Sequence, residues 1–365
     1  MESFTVDIIV PVWNRPVETR ACLVGLLNTC PTARLILIDN GCDRESERLL
    51  EEFAELLGER ALFLKNSINQ GFVRAINRGL ARAEAPYAIV VRNTTTVTDG
   101  WLEPMLELAD SRAEVGLIVP QLLEPAGAPP AKLRRRPLAS ATEIGHGSFA
   151  AMLIRKELFA CQGGFDEGLD GALWCLKDYS RRSLRHGYLT CTVAGSSVIC
   201  VEEAPLGSLA RRQELERHSA AVYEERWGGE ESFCLCLARD ADPEEVRREF
   251  TVILRGARMG HRFVVLAQGK LYRLLHEHGY GKLHRTVALE KIPRFFAAAE
   301  TRKLLSRLFP ADAQPSVVAD MSGGSFPGID NGRPFAWLEE RLAQQETHHY
   351  LPVAGKSDDS LPGFQ

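Results

Sequence analysis

The sequence lacks several features that would settle its class at once. Nine cysteines among 365 residues form no C-x-x-C pair, and several fall inside apolar runs. An odd, scattered set of this kind fits reduced core thiols better than a disulfide framework or a zinc site. Cys234 and Cys236 alternate, so they would share one face of a strand. No run approaches the roughly 20 apolar residues of a membrane span. The opening MESFTVDIIVPVW carries acids and turns straight into a strand, unlike a signal peptide. The expected location is cytoplasmic, with a peripheral position at the inner face of the membrane compatible with it. Charge of one sign is missing too. Lys and Arg number 44 against 48 Asp and Glu, for a net charge of −4. That balance argues against a nucleic-acid partner. Neither half shows G-x-G-x-x-G after its first strand, which disfavours a dinucleotide-dependent oxidoreductase.

What is present is an ordinary globular composition, 45% apolar and 25% charged, in a chain long enough for two domains. Short apolar strands alternate with helical stretches through the first 120 residues, the pattern of a mainly parallel sheet covered on both faces. The organising stretch is Tyr87–Trp101. An apolar run (Ala88, Ile89, Val90, Val91) stops at Arg92, Asn93 and three threonines, so polar groups collect at the carboxyl end of a buried strand. In open α/β sheets ligands bind at that end. Gly145–Ile154 resumes the apolar pattern, and Leu189–Val193 and Ser197–Val201 read as two short strands. Trp227–Ser232 reads as a boundary. Beyond it the alternation restarts, giving a smaller Rossmann-like α/β domain over residues 232–346 after a first domain over 1–228. Residues 347–365 have the composition of a disordered tail. Two loops are ambiguous. Lys132–Arg136, among prolines, is a phosphate contact or a solvated loop, and Gly323-Gly324 is a phosphate cradle or a plain turn.

The first domain resembles the family 2 glycosyltransferases, inverting nucleotide-sugar enzymes with the GT-A fold, with a flavour of the rhamnosyltransferase-like branch. The resemblance rests on Ile8-Ile-Val-Pro-Val-Trp-Asn14, Leu37-Ile-Asp-Asn-Gly41, Asn66-x-x-Asn69-x-Gly71-Phe72 and Ala75-x-Asn77-x-Gly79. Val97-Thr-x-Gly-Trp-Leu102, Gly163-Gly-Phe-Asp-Glu167 and Gly187-Tyr188 complete it, over about residues 5–225. It implies a GT-A-like nucleotide-diphospho-sugar fold. Pro11, Val12 and Asn14 would line the nucleotide pocket, and Asp39 would accept a hydrogen bond from the base. Asn69, Gly71 and Asn77 would shape its floor. A carboxylate at a strand's end can accept an imide N–H, although Asp39-Asn-Gly41 is also a plain turn signal. The implied donor is a UDP- or dTDP-sugar, with a glycan or lipid-linked acceptor in polysaccharide biosynthesis.

The sequence departs from the family at its two acidic motifs. Thr94 and Thr96 stand where the resemblance implies carboxylates for Mg²⁺ or Mn²⁺, with Arg92 and Asn93 just before them. Hard divalent cations want carboxylate oxygen, so no metal ligands are assigned. Arg92, Asn93 and Thr94 remain as nucleotide-binding candidates, the guanidinium offsetting diphosphate charge. The implied catalytic base falls on Cys175 and Leu176, neither of which suits the role. Asp178 keeps its acid and is the catalytic candidate. It reads equally as a helix-start carboxylate, and Asp166 and Asp170 are substitutes. Two expectations follow: an inverting glycosyltransferase, metal-independent if active, or a non-catalytic relative that binds a nucleotide sugar, glycan or protein.

Overall fold

The computed structural model describes residues 4–123, 141–200, 208–237, 242–293, 295, 297–309, 315–319 and 332–349. Both ambiguous loops, Lys132–Arg136 and Met321–Gly328, lie outside the described residues. The chain divides into two compact units. One comprises Met1–Ala141 with His146–Val222, the other Thr142–Gly145 with Tyr223–Gln365.

In the first unit β1 (Val6–Val12), α1 (Pro16–Thr29), β2 (Arg34–Asn40), α2 (Arg44–Leu57), β3 (Ala61–Asn66), α3 (Phe72–Leu80) and β4 (Tyr87–Val91) follow in order. Then come β5 (Thr95–Val97), α4 (Glu103–Ser111), β6 (Val115–Leu123), β7 (Ala141–Glu143), β8 (Ala151–Arg155), α5 (Lys156–Gln162), α6 (Leu173–Arg185), β9 (Leu189–Cys200) and α7 (Leu209–Trp227), of which β7 after Ala141 and α7 after Val222 belong to the second unit. The sheet runs β3-β2-β1-β4-β8-β6-β9-β5, with β7 off this path. Its first four strands are parallel, as the alternation predicts, with Ile9 opposite Ile36 and Val90. β8 enters antiparallel to β4 and β6, and β5 antiparallel to β9, so the sheet is mixed. The two short strands expected after Gly187 form one strand, β9, that passes through Gly195 at φ 95°.

All seven residues of β1 and all five of β4 are buried, because helices cover both faces. Gly79 lets α3 lie close on the sheet: a Cβ there would sit 2.4 Å from Ile9 Cγ2. Asp7 ties the amino end together. Its carboxylate receives Arg34 Nε at 2.6 Å and Nη2 at 2.9 Å, with the backbone N–H groups of Glu84 and Ala85 at 2.6 and 2.9 Å. Burial opposes the charge on Asp7, but Arg34 and those two N–H groups outweigh it and hold the carboxyl below its ordinary range.

The second unit is wholly parallel in its sheet. Its elements are β10 (Ser232–Cys236), α8 (Pro243–Arg258), β11 (Arg262–Gln268), α9 (Gly269–Glu277), β12 (Val287–Ile292), α10 (Ala297–Leu308), β13 (Ser316–Ala319), β14 (Arg333–Pro334) and α11 (Phe335–His349). The strand order is β12-β11-β10-β13-β14, which is a Rossmann-like arrangement. Phe233, Phe250 and Phe263 are fully buried in its core. Cys234 and Cys236 share one core cluster, as their alternation predicts. Glu143 is built into this unit. Its carboxylate takes Arg258 Nε at 2.7 Å and Nη2 at 2.8 Å, and its backbone bonds Leu283 and Arg285. α11 reaches His349, three residues into the segment expected to be disordered; residues 350–365 lie outside the described ones.

Candidate functional site

A cleft of about 540 Å³ opens at the carboxyl ends of β1, β2 and β4, the place expected from the strand pattern. Pro11, Val12, Asn14, Asn69, Gly71, Arg92, Asn93 and Thr94 all line it. Asp39, Asn77 and Asp178 do not.

The floor is set by a chain of amides. Asn40 Nδ2 donates to Asn69 Oδ1 at 3.0 Å, and Asn40 Oδ1 accepts from Asn66 Nδ2 at 2.9 Å. Asn69 Oδ1 also accepts the backbone N–H of Gly71 at 2.8 Å, which fixes the orientation of that amide. Gly41 is required beneath it. At φ 75° a Cβ would lie 2.5 Å from the Asn69 backbone nitrogen. Asp39 does not line the cleft; it is 1% exposed and accepts the backbone N–H of Cys42 at 2.8 Å. Strand alternation hands the cleft position to its neighbour Asn40. The turn reading of Asp39-Asn-Gly41 therefore describes what the carboxylate does.

The β1 corner is strained. Asn14 at φ 59° and Arg15 at φ 64° are the two non-glycine residues in left-handed backbone among the described residues. Each such conformation costs about 1–3 kcal/mol and persists when its surroundings impose it. Here Asn14 Oδ1 accepts the Asp43 N–H at 2.7 Å, and Asn14 O accepts from Thr19 Oγ1 at 3.3 Å and Asn93 Nδ2 at 3.4 Å. Asn93 Nδ2 also donates to Thr19 Oγ1 at 2.9 Å, so Asn93 braces the corner.

Arg92 lies over the Phe72 ring, 5.4 Å from its centroid. Among the described residues it pairs with no carboxylate. Thr94, 8% exposed, carries a buried hydroxyl with no hydrogen-bond partner among the described residues. Thr96 is exposed on β5 and does not line the cleft. No group of three or more His, Cys, Asp or Glu able to hold a metal occurs among the described residues. A guanidinium, an amide and a hydroxyl at the end of β4 do not fit a divalent cation, which wants anionic oxygen.

The opposite wall comes from 163–178. Asn77 is a clip rather than a lining residue. Its Nδ2 donates to Phe165 O at 2.9 Å and Glu167 Oε1 at 3.0 Å, and its Oδ1 accepts the Phe165 N–H at 2.8 Å. Asp170 takes the backbone N–H groups of Ala172 and Cys175 at 3.0 Å each on Oδ1 and of Trp174 at 3.2 Å on Oδ2, capping α6. Asp178 is fully buried in α6 and takes Arg182 Nε at 2.8 Å. It forms an ion pair within α6 and is not among the residues that line the cleft. Cys175 is buried as well, and burial first, with nearby carboxylates, pushes its thiol up to about 12. Sequence reasoning passed over Trp13, Arg15, Asn40, Phe72, Arg74 and Glu167, all lining residues. Their signal was position: Asn40 lies inside a matched motif, Glu167 ends one, and Arg74 lies in the first turn of α3.

Residues 7–162 match the family described as Glycosyl transferase family 2. This stretch resembles the family 2 glycosyltransferases. A Drosophila melanogaster protein provisionally named polypeptide N-acetylgalactosaminyltransferase 13 is 31% identical over 135 residues, covering 33% of this chain and 23% of the relative. The chain thus spans about a quarter of that relative's length. The solved structure of GalNAc-T7 with UDP, GalNAc and Mn²⁺ aligns with a TM-score of 0.50 at 16% identity, covering 62% of this chain and 48% of that one. A mannosyltransferase from Pyrobaculum calidifontis in complex with GDP-Man and Mn²⁺ is similar at a TM-score of 0.45 and 14% identity, covering 60% of this chain and 65% of that one. The first unit therefore has a GT-A-like fold, a mixed, mainly parallel sheet, and a second sheet domain follows it. No helix among the described residues is long and apolar enough to cross a membrane.

Proposed function

We propose that the first unit is a glycosyltransferase domain that holds a nucleoside-diphosphate sugar in the 540 Å³ cleft and transfers the sugar, with inversion, to a hydroxyl acceptor. The observation that carries the donor site is Arg92. Its guanidinium faces the cleft at the end of β4, stacked on Phe72 and without a carboxylate partner among the described residues. A half-buried cation of this geometry offers forked donors to a diphosphate. It occupies the region where the resemblance implies a metal. The reading is therefore metal-independent binding, and no step is routed through a cation. Thr94 adds a hydroxyl that leaves no bond behind when it rotates about χ1 to meet an incoming oxygen. Phe72 and Trp13 supply apolar faces for a nucleoside.

The alternative, a relative that binds a nucleotide sugar without turning it over, is favoured by one observation. Both cleft carboxylates, Glu167 and Asp170, accept hydrogen bonds from the protein itself. Calorimetric titration with UDP, dTDP and GDP, each with and without Mn²⁺, tests the donor site. Binding that ignores the metal is expected. Binding that requires Mn²⁺ would overturn the role given to Arg92, and the absence of all binding would end the donor reading. Release of nucleoside diphosphate from UDP-GalNAc, UDP-GlcNAc or GDP-mannose separates transfer from binding alone.

A further inference from the structure

We propose that Glu167 is the proton acceptor of this site, covered at rest by Arg74 and uncovered when the donor's diphosphate draws Arg74 away. The inference rests on the donor reading above.

The two carboxylates that line the cleft differ in what holds them. Asp170 is held by three backbone N–H groups of the segment that starts α6. Those donors cannot leave without unwinding the first turn of the helix, so Asp170 stays committed. Glu167 is held by two side chains. Asn77 Nδ2 donates to Oε1 at 3.0 Å, and Arg74 Nε donates to Oε2 at 2.8 Å. The Arg74–Glu167 pair is solvent-exposed, with side chains 62% and 40% accessible. Such pairs contribute little in water and exchange readily.

Arg74 also stands where an anion would compete for it. It belongs to the first turn of α3, whose N-cap, Gly71, provides no side-chain cap. Gly71, Phe72, Val73 and Arg74 all line the cleft with Arg92. A diphosphate there brings more negative charge than one carboxylate, next to the positive end of a helix. Once Arg74 turns to it, Asn77 still fixes Oε1 and orients the carboxylate, while Oε2 opens to the cleft. The resting pair therefore protects the base, and donor binding arms it.

The chemistry balances without a further reactant. The acceptor hydroxyl oxygen bonds to C1 of the sugar as its proton passes to Glu167 Oε2. The bond from C1 to the diphosphate oxygen breaks, and its electron pair leaves with the nucleoside diphosphate. C1 is inverted, and Glu167 releases the proton to solvent as Arg74 returns.

The test uses the full chain, with UDP-GalNAc, UDP-GlcNAc and GDP-mannose as donors, and water and octyl glycosides as acceptors. In Glu167→Gln, nucleotide affinity by calorimetry is expected to stay within about threefold, while kcat falls at least about 100-fold. Formate added to Glu167→Ala is expected to restore turnover, which a purely structural role would not allow. Arg74→Gln is expected to raise the donor KM more than it lowers kcat. A Glu167→Gln protein that keeps kcat within about threefold overturns the inference. So does a wild-type protein that binds nucleotide yet turns over none of these pairs, which selects the binding-only reading. If no nucleotide binds, the donor reading itself fails, and calorimetry alone shows that.

Discussion

The two units of the chain build parallel strands from the same kind of apolar run but treat their polar side chains differently. In the second unit the buried ion pair closes on itself. Glu143 and Arg258 meet through two hydrogen bonds, and His284 beside them takes the N–H and hydroxyl of Thr286 on Nδ1. In the first unit Asp7 and Arg34 do the same at the amino ends of the strands, while at the carboxyl ends Arg92 lies over the Phe72 ring without a carboxylate partner among the described residues, and the Thr94 hydroxyl is buried without a hydrogen-bond partner there. Buried polar groups are normally paired. Thr301 in the second unit also carries a buried hydroxyl without a partner among the described residues; what sets Thr94 apart is that its open hydroxyl lies beside Arg92 in the cleft, where a ligand is expected to meet it.

The largest effect should come from breaking the closed cluster. Glu143→Ala removes the carboxylate that takes two hydrogen bonds from Arg258, at a site where the two side chains are only 18% and 10% exposed. Loss of one partner of a buried pair costs about 3–5 kcal/mol, so hydrogen exchange in β11 and β12 should accelerate by two orders of magnitude or more. Unchanged protection there would show that the pair is not what holds this unit.

Acid should separate the units next. Burial first, then the charge of Arg258, pulls His284 from 6.5 down to about 3. Its folded form binds a proton less readily than the unfolded chain. Stability from this group is therefore complete above pH 6.5 and declines from there towards about pH 3, at about 1.4 kcal/mol per pH unit. Asp7 acts in the same direction but in a lower window. Its lowered pKa gives stability that is complete above the ordinary carboxyl value of 3.8 and is lost as pH falls below it. At about pH 4.5 the second unit should have lost roughly 3 kcal/mol from His284, while Asp7 still contributes fully. Exchange mass spectrometry at pH 7 and 4.5 reads both, and equal losses in the two units would erase the contrast.

Much of this contrast was legible in the chain, and the failures have physical reasons. The strand–helix alternation located the parallel strands of both units because their buried faces leave continuous apolar runs. The antiparallel entry of β8 was not legible, since a buried strand reads the same in either direction. The cleft was placed by the abrupt change at Val91–Arg92. Asp39 was expected in it, but side-chain alternation turns Asp39 into its own turn and presents Asn40 instead. Asp178 was chosen because it was the acid nearest the expected base positions. Helical geometry carries it into the core beside Arg182, and the exposed carboxylate is Glu167, eleven residues earlier. A motif fixes where a residue lies along the chain, and only the fold decides which face it joins.

Among substitutions on the open side, Arg92→Ala should weaken UDP or GDP binding about 10- to 30-fold, the loss of a charge-assisted contact, with thermal stability little changed. A loss of stability as large as that of Glu143→Ala would mean that Arg92 belongs to the scaffold and the contrast is false.

Thr94→Val should give the smallest effect and the most discriminating one. The Thr94 hydroxyl is buried without a partner among the described residues, so replacing it with a methyl group removes no hydrogen bond and relieves an unsatisfied group. Thermal stability should rise, by up to about 1 kcal/mol. Nucleotide binding should weaken by a few-fold, because the hydroxyl's only use is with a ligand. Opposite signs on stability and affinity are hard to obtain any other way. If both fall, the hydroxyl has a partner in the folded protein. If stability rises and affinity is unchanged, the diphosphate does not reach the end of β4, and Arg92 would have to act from further out in the cleft.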